Sequence, residues 1–264
     1  GDTLWTWRLY NTDNTIIINS IVETQEGDYV AVGRADMPIL PENKTYAPQR
    51  GFIVKLSSDG ELIYLKEWTD IDYNLFDDVA INSAGELLIA GTYFNHPPEY
   101  PDDENFGLLL KTDSYGNTVF FKTIEYGIGL HGFTVNVSSS NDIIFIGYFA
   151  VPLTLDWKHD VLLRKYSNNG DVLWSKNIGD KEAYDWPFSV ITTNDNGIAF
   201  CGLYSPDTGN YSWLVKTDSL GQGNYDAGWE PNAVFTNKTE KLSLYPNPAS
   251  NYCNIKIPLN IKVD

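Results

Sequence analysis

Short apolar or alternating runs, four to eight residues long, succeed one another along the chain with turn residues between them. Within one representative stretch they cover residues 78–81, 86–93, 107–112 and 118–124. The runs are rich in Val, Ile, Phe and Tyr and are bounded by Asp-Gly, Asn-Gly or Ala-Gly pairs, which predicts antiparallel strands joined by tight turns. No long stretch carries a helical period.

The pattern repeats. Gly27-Asp-Tyr-Val-Ala-Val-Gly33 aligns with Gly85-Glu-Leu-Leu-Ile-Ala-Gly91, with Asn141-Asp-Ile-Ile-Phe-Ile-Gly147 and with the shorter Gly197-Ile-Ala-Phe-Cys-Gly202. Each is followed by a lysine turn: Lys55-Leu-Ser-Ser-Asp-Gly60, Lys111-Thr-Asp-Ser-Tyr-Gly116, Lys165-Tyr-Ser-Asn-Asn-Gly170 and Lys216-Thr-Asp-Ser-Leu-Gly221. The lysines are 56, 54 and 51 residues apart. A third series reads Leu62-Ile-Tyr-Leu-Lys66, Val119-Phe-Phe-Lys122 and Val172-Leu-Trp-Ser-Lys176. Four-stranded units at this period predict an all-β chain of β-propeller type, with blades over about 11–68, 69–124, 125–179 and 180–228. A β-solenoid would have shorter, parallel rungs.

The glycine closing each second run, Gly33, Gly91, Gly147 and Gly202, is expected at the end of a second strand, where it permits a bulge or close backbone approach. Gly1-Asp2-Thr3-Leu4-Trp5 resembles Gly170-Asp171-Val172-Leu173-Trp174, so residues 1–10 read as an extra outer strand. The fourth unit lacks its own. Either the first strand completes the last blade, which would remove sheet edges, or earlier blades precede this chain. Trp5, Trp7, Tyr64, Trp68, Phe120, Phe121 and Trp174 are expected in blade cores. Cys201, inside an apolar run, is expected to be buried; a bridge to Cys253 is neither favoured nor opposed by the spacing.

Residues 229–240 are polar and read as a linker. After them comes Leu244-Tyr245-Pro246-Asn247-Pro248-Ala249, followed by alternating Tyr252, Asn254, Ile255 and Ile257. This run resembles the opening of the C-terminal sorting domain of the type IX secretion system of Bacteroidota. The blade motifs resemble the propeller repeats often joined to it. The resemblance implies a secreted or cell-surface protein, with residues 241–264 supplying the first strand or two of a β-sandwich. It also implies that the type IX machinery recognises Tyr245, Pro246, Asn247 and Pro248. Two prolines in four residues remove two backbone donors, which suits the start of a strand and not its middle.

Charge narrows the partners. Eighteen basic and 35 acidic residues give a formal net charge of −17, which disfavours nucleic acid and anionic membranes. No catalytic motif is present, and no cofactor is implied. His96, His131 and His159 map to one face of the predicted propeller, as solvated loop residues spread around a ring. The same face carries the longest loops and Tyr46, Tyr73, Tyr100, Tyr126, Trp157, Tyr184 and Trp186. These aromatics, with His96, His131 and His159, are candidate binding residues for an extracellular glycan or protein. Asp70, Asp72 and the run Asp102-Asp103-Glu104 offer carboxylates for Ca²⁺ or for glycoside chemistry. Three functions follow: a binding module, a carbohydrate-active lyase or hydrolase, and a structural repeat of an adhesin. A convergent pair of buried carboxylates would favour the enzyme, and an aromatic platform would favour binding.

Overall fold

The computed structural model describes residues 2–9, 15–36, 49–68, 73–94, 105–125, 128–150, 158–180, 182–223, 243–245 and 254–256. It divides into two compact units, Gly1–Asn224 and Tyr225–Asp264. The first is all-β. Strands β1 (Ile16–Glu23), β2 (Tyr29–Asp36), β3 (Gln49–Leu56) and β4 (Leu62–Glu67) form one antiparallel meander, and β5 (Asn74–Ile81), β6 (Leu87–Phe94), β7 (Asn105–Thr112) and β8 (Thr118–Ile124) form a second. A third comprises β9 (Ile128–Val137), β10 (Ile143–Ala150), β11 (His159–Tyr166) and β12 (Val172–Ile178). Among the described residues the fourth has three strands, β13 (Ala183–Thr192), β14 (Ile198–Pro206) and β15 (Tyr211–Thr217). One parallel bridge, His159 to Tyr184, joins it to the third. In the second unit, β16 (Ser243–Tyr245) pairs antiparallel with β17 (Asn254–Lys256). Tyr245 ends β16; Pro246, Asn247, Pro248 and the predicted linker lie outside the described residues. Among the described residues no helix is long and apolar enough to cross a membrane.

The second strand of the second sheet, β6, is a continuous apolar run because both of its faces are covered. Leu87 and Ile89 join Val30, Val32 and Ile53 of the first sheet in one cluster. Leu88 and Ala90 join Ile143, Phe145 and Leu162 of the third sheet in another. The lysine series has a specific partner in each repeat. Lys55 pairs with Asp28 at 3.0 Å, Lys111 with Glu86 at 2.6 Å, Lys165 with Asp142 at 2.9 Å and Lys216 with Asp195 at 2.9 Å. Each carboxylate lies in the preceding hairpin, so the motif staples a third strand to the turn before the second.

The third motif series forms the seams. A Cβ on Gly60, Gly116, Gly170 or Gly221 would lie within 3.2 Å of the ring of Trp5, Tyr64, Phe120 or Trp174, respectively. Each last-strand aromatic therefore packs on the lysine turn of the following repeat, and these rings are half-buried at the seams. Residues 2–9 pair in no sheet, yet Trp5 occupies the same position relative to Gly60, and its Nε1 donates to Ser58 O at 3.0 Å. The segment thus stands where the last strand of a preceding sheet would stand.

Two expectations change. The glycines Gly33, Gly91, Gly147 and Gly202 sit within the second strands, not at their ends, paired with Ile18, Phe76, Gly132 and Pro187. Cys201 is exposed and free. Its sheet carries no following sheet on that face among the described residues. Leu214 on the same face is 74% exposed, while its repeat equivalents Ile53, Leu109 and Leu163 are 2%, 0% and 0% exposed.

Candidate functional site

The first strands of the four sheets are successive neighbours, with β5 packed on β1, β9 on β5 and β13 on β9. Each carries a β-bulge at the same point, opposite the repeated glycine. The extra residues are Asn19, Asp77, Phe133 and Phe188. The glycine is required there: a Cβ at Gly33, Gly91, Gly147 or Gly202 would overlap the carbonyl oxygen of Ile17, Leu75, His131 or Trp186. A bulge re-aims a side chain away from the regular pleat. Here all four bulged residues, with the residues that follow them (Ser20, Asp78, Thr134 and Ser189), line one groove of about 320 Å³. A second stretch of about 430 Å³ shares Ser20, Asp78, Thr134 and Ser189 and runs on past Ile21, Ile81 and Ile191.

The groove lining combines carboxylates, hydroxyls, an amide and aromatic rings. Asp78 is fully engaged. Its Oδ1 accepts from Ser20 Oγ at 2.6 Å and Val79 N at 2.9 Å, and its Oδ2 from Thr134 Oγ1 at 2.5 Å and Val135 N at 3.0 Å. This one carboxylate ties β1, β5 and β9 together. Asn19 Nδ2 donates to Phe76 O at 2.8 Å, a further tie between β1 and β5. Asp77 is different. Burial pushes its carboxyl up to about 7, with the adjacent Asp78 charge adding and Arg34 opposing. In the same groove the rings of Phe133 and Phe188 lie 6.0 Å apart at 49°.

Phe133 also meets Tyr148 at 6.4 Å, which links the groove to an aromatic cluster. His131 stacks on Tyr148 at 5.0 Å and 17°, and His159 meets the same ring edge-on at 5.2 Å. Trp186 Nε1 donates to His159 Nδ1 at 3.1 Å, which places the His159 proton on Nε2. His131 Nε2 lies 3.2 Å from Asn105 Nδ2. Burial, then the neighbouring His159, lowers His131 to about 4, and burial lowers His159 too. Both rings are neutral near pH 7. The picture of solvated histidines spread around a ring is therefore corrected for these two: strands β9 and β11 flank β10 and bring them onto either side of Tyr148.

The other candidates divide. Tyr184 joins the cluster through His159 at 5.5 Å and Trp186 at 6.1 Å. Tyr73 is buried, its carbonyl accepting from Phe94 N at 3.0 Å. Tyr46, Tyr100, Tyr126, Trp157 and His96 lie outside the described residues, as do Asp70, Asp72, Asp102, Asp103 and Glu104.

A second acidic group stands beside His159. Asp160 is raised to about 6 by burial and by Asp180, and Asp185 to about 7 by burial, against a hydrogen bond from Asp180 N and with the charges of Asp160 and Asp180 adding. Asp160 Oδ1 and Asp185 Oδ1 are buried without a hydrogen-bond partner. Among the described residues no group of three His, Cys, Asp or Glu is arranged to hold a metal ion.

The groove residues were missed in sequence because Asn19, Asp77, Phe133 and Phe188 share no chemistry. They share only a position, and the signal marking it was the glycine on the neighbouring strand.

No protein-family model matches the chain, and no curated protein matches it in sequence. Among solved structures it is similar to an X-ray structure of a protein assigned as a gluconolactonase, at 12% identity and a TM-score of 0.37. The alignment covers 76% of this chain and 58% of that one, so the chain spans less than two thirds of that protein's length. A likeness at this level carries no argument about chemistry.

Proposed function

We propose that the chain is a glycan-binding module of β-propeller type, with the ligand held in the groove between the four first strands. The carrying observation is the convergence of the four bulged residues on that groove. Aromatic rings suit the C–H surface of a pyranose, and the carboxylate, amide and hydroxyl groups in the same groove suit its hydroxyls. The test is calorimetric titration of the full chain with soluble oligosaccharides, using Phe188→Ala as the discriminating variant. Phe188 is 53% exposed, so its removal spares the core. The reading expects measurable binding that weakens by about tenfold in the variant; equal affinity in both proteins counts against it.

A second reading is carbohydrate-active catalysis, favoured by Asp77 standing near neutrality, where a general acid works best. Against it, Asp78 spends all its acceptor capacity on the scaffold, and Asp185 is wholly buried. Among the described residues a two-carboxylate glycosidase mechanism therefore lacks its second member in the groove. Turnover that disappears in Asp77→Asn while binding persists would select the enzyme.

We further propose that the protein is exported by a type IX pathway and acts outside the cell, with residues 241–264 as the recognised segment. Its support is the Tyr245-Pro246-Asn247-Pro248 run placed after the repeats.

A further inference from the structure

We infer that the groove selects a protonated amine, so that its glycan ligand is an amino sugar with a free amino group. This rests on the glycan reading and sharpens it. Among the described residues the groove is lined by two adjacent carboxyl side chains and by no Lys, Arg or His. Asp78 is fixed in place by four donors. Beside it, Asp77 is desolvated and repelled by that fixed charge, and only Arg34 opposes these costs.

A neutral hydroxyl donating to Asp77 would supply a hydrogen bond and leave the repulsion in place. An ammonium group supplies the hydrogen bond and also compensates both charges, and charge-assisted bonds are about twice as strong as neutral ones. Phe133 and Phe188 line the same groove with their rings 6.0 Å apart, and aromatic rings attract a cation as well as an apolar sugar face. Carboxylates and aromatic rings lining one groove suit an organic cation; an anionic sugar would be repelled from the same lining.

The experiment titrates the full chain at pH 7 with three tetramers: β-linked glucosamine, its N-acetylated counterpart and a glucose tetramer of the same linkage. Because the whole chain carries a net charge of −17, a polycation will associate with it weakly everywhere. Asp59→Asn, in an exposed turn of the first sheet, therefore serves as the charge-matched control. The inference expects the amine tetramer to bind at least about tenfold more tightly than either neutral one. That advantage is lost in Asp77→Asn and kept in Asp59→Asn. Phe188→Leu keeps the apolar surface and removes the ring face, so it should reduce the same preference. Neutral tetramers binding as tightly as the amine overturn the inference and leave the glycan reading standing. An advantage equally reduced by both Asn variants also overturns it, as non-specific attraction. Binding of none of the three overturns the glycan reading itself.

Discussion

Asp77 and Asp78 are consecutive on one bulged strand and sit in opposite electrostatic surroundings: Asp78 accepts four hydrogen bonds, while burial pushes Asp77 up to about 7. The bulge causes the difference. It turns one carboxylate toward the donors of β1 and β9 and leaves its neighbour facing the groove.

Asp78→Ala should destabilise the first unit by about 3 kcal/mol, because Ser20, Thr134 and Val135 N lose their acceptor at a partly buried junction. Urea denaturation of the full chain measures this. A loss below about 1 kcal/mol would mean that water replaces the carboxylate.

Asp77, Asp160 and Asp185 all have folded-state values raised above those of an unfolded carboxyl, to about 7, 6 and 7. The native state therefore holds more protons than the unfolded state between about pH 4 and 7, and stability falls as pH rises through that window. Glu86 and Asp113 are held below the carboxylate range, by hydrogen bonds that include those from Lys111 and Asn117, and act oppositely at lower pH. Asp185→Asn should flatten the fall between pH 5 and 7.5 in a plot of Tm against pH. An unchanged slope contradicts the assignment.

Gly91→Ala places a methyl group on the carbonyl of Leu75, and neither strand can retreat without opening the sheet. A loss of about 3 kcal/mol is expected. Gly85→Ala, in an open turn at φ 76°, incurs only backbone strain and should lose about 1 kcal/mol. Equal losses would remove the close-approach explanation for the repeated glycines.

Leu109 and Leu214 occupy equivalent positions and differ only in whether a following sheet covers them. Leu109→Ala should cost about 2–5 kcal/mol and Leu214→Ala less than about 0.5 kcal/mol. In the native chain Cys201 should react with a maleimide at the rate of an open thiol. A protected Cys201, or a costly Leu214→Ala, would show that something covers this face in solution.

Deletion of residues 241–264 within the intact gene should stop the protein from reaching the outer surface or the medium of its natural host. Undisturbed export of the shortened protein would remove the sorting assignment and leave the tail as ordinary structure.

Much of the scaffold was visible in the chain because its devices are local. The lysine turns, the glycine-bearing second strands and the last-strand aromatics each recur with the same residue type, and each turned out to have one repeated partner. What stayed hidden depends on neighbours distant in sequence. Nothing near Cys201 says whether a further sheet lies over it. His131 and His159 are separated along the chain by a complete hairpin, and only the pairing of β10 with both β9 and β11 brings them to Tyr148. Asn19, Asp77, Phe133 and Phe188 align by bulge and not by chemistry, so no self-comparison of side chains picks them out.

The seams carry a consequence for how such a chain can be cut and joined. Tyr64 belongs to the first sheet but is seated on Gly116 of the second, Phe120 on Gly170 of the third, and Trp174 on Gly221 of the fourth. The stretch that a genetic duplication can copy without orphaning an aromatic is therefore out of step with the visible sheet. A junction placed in the gap between two sheets severs a seam. A segment running from just before one last strand to just before the next carries both a ring and the glycine that seats it. Recombination in that phase would lengthen or shorten the array while every internal ring kept its turn.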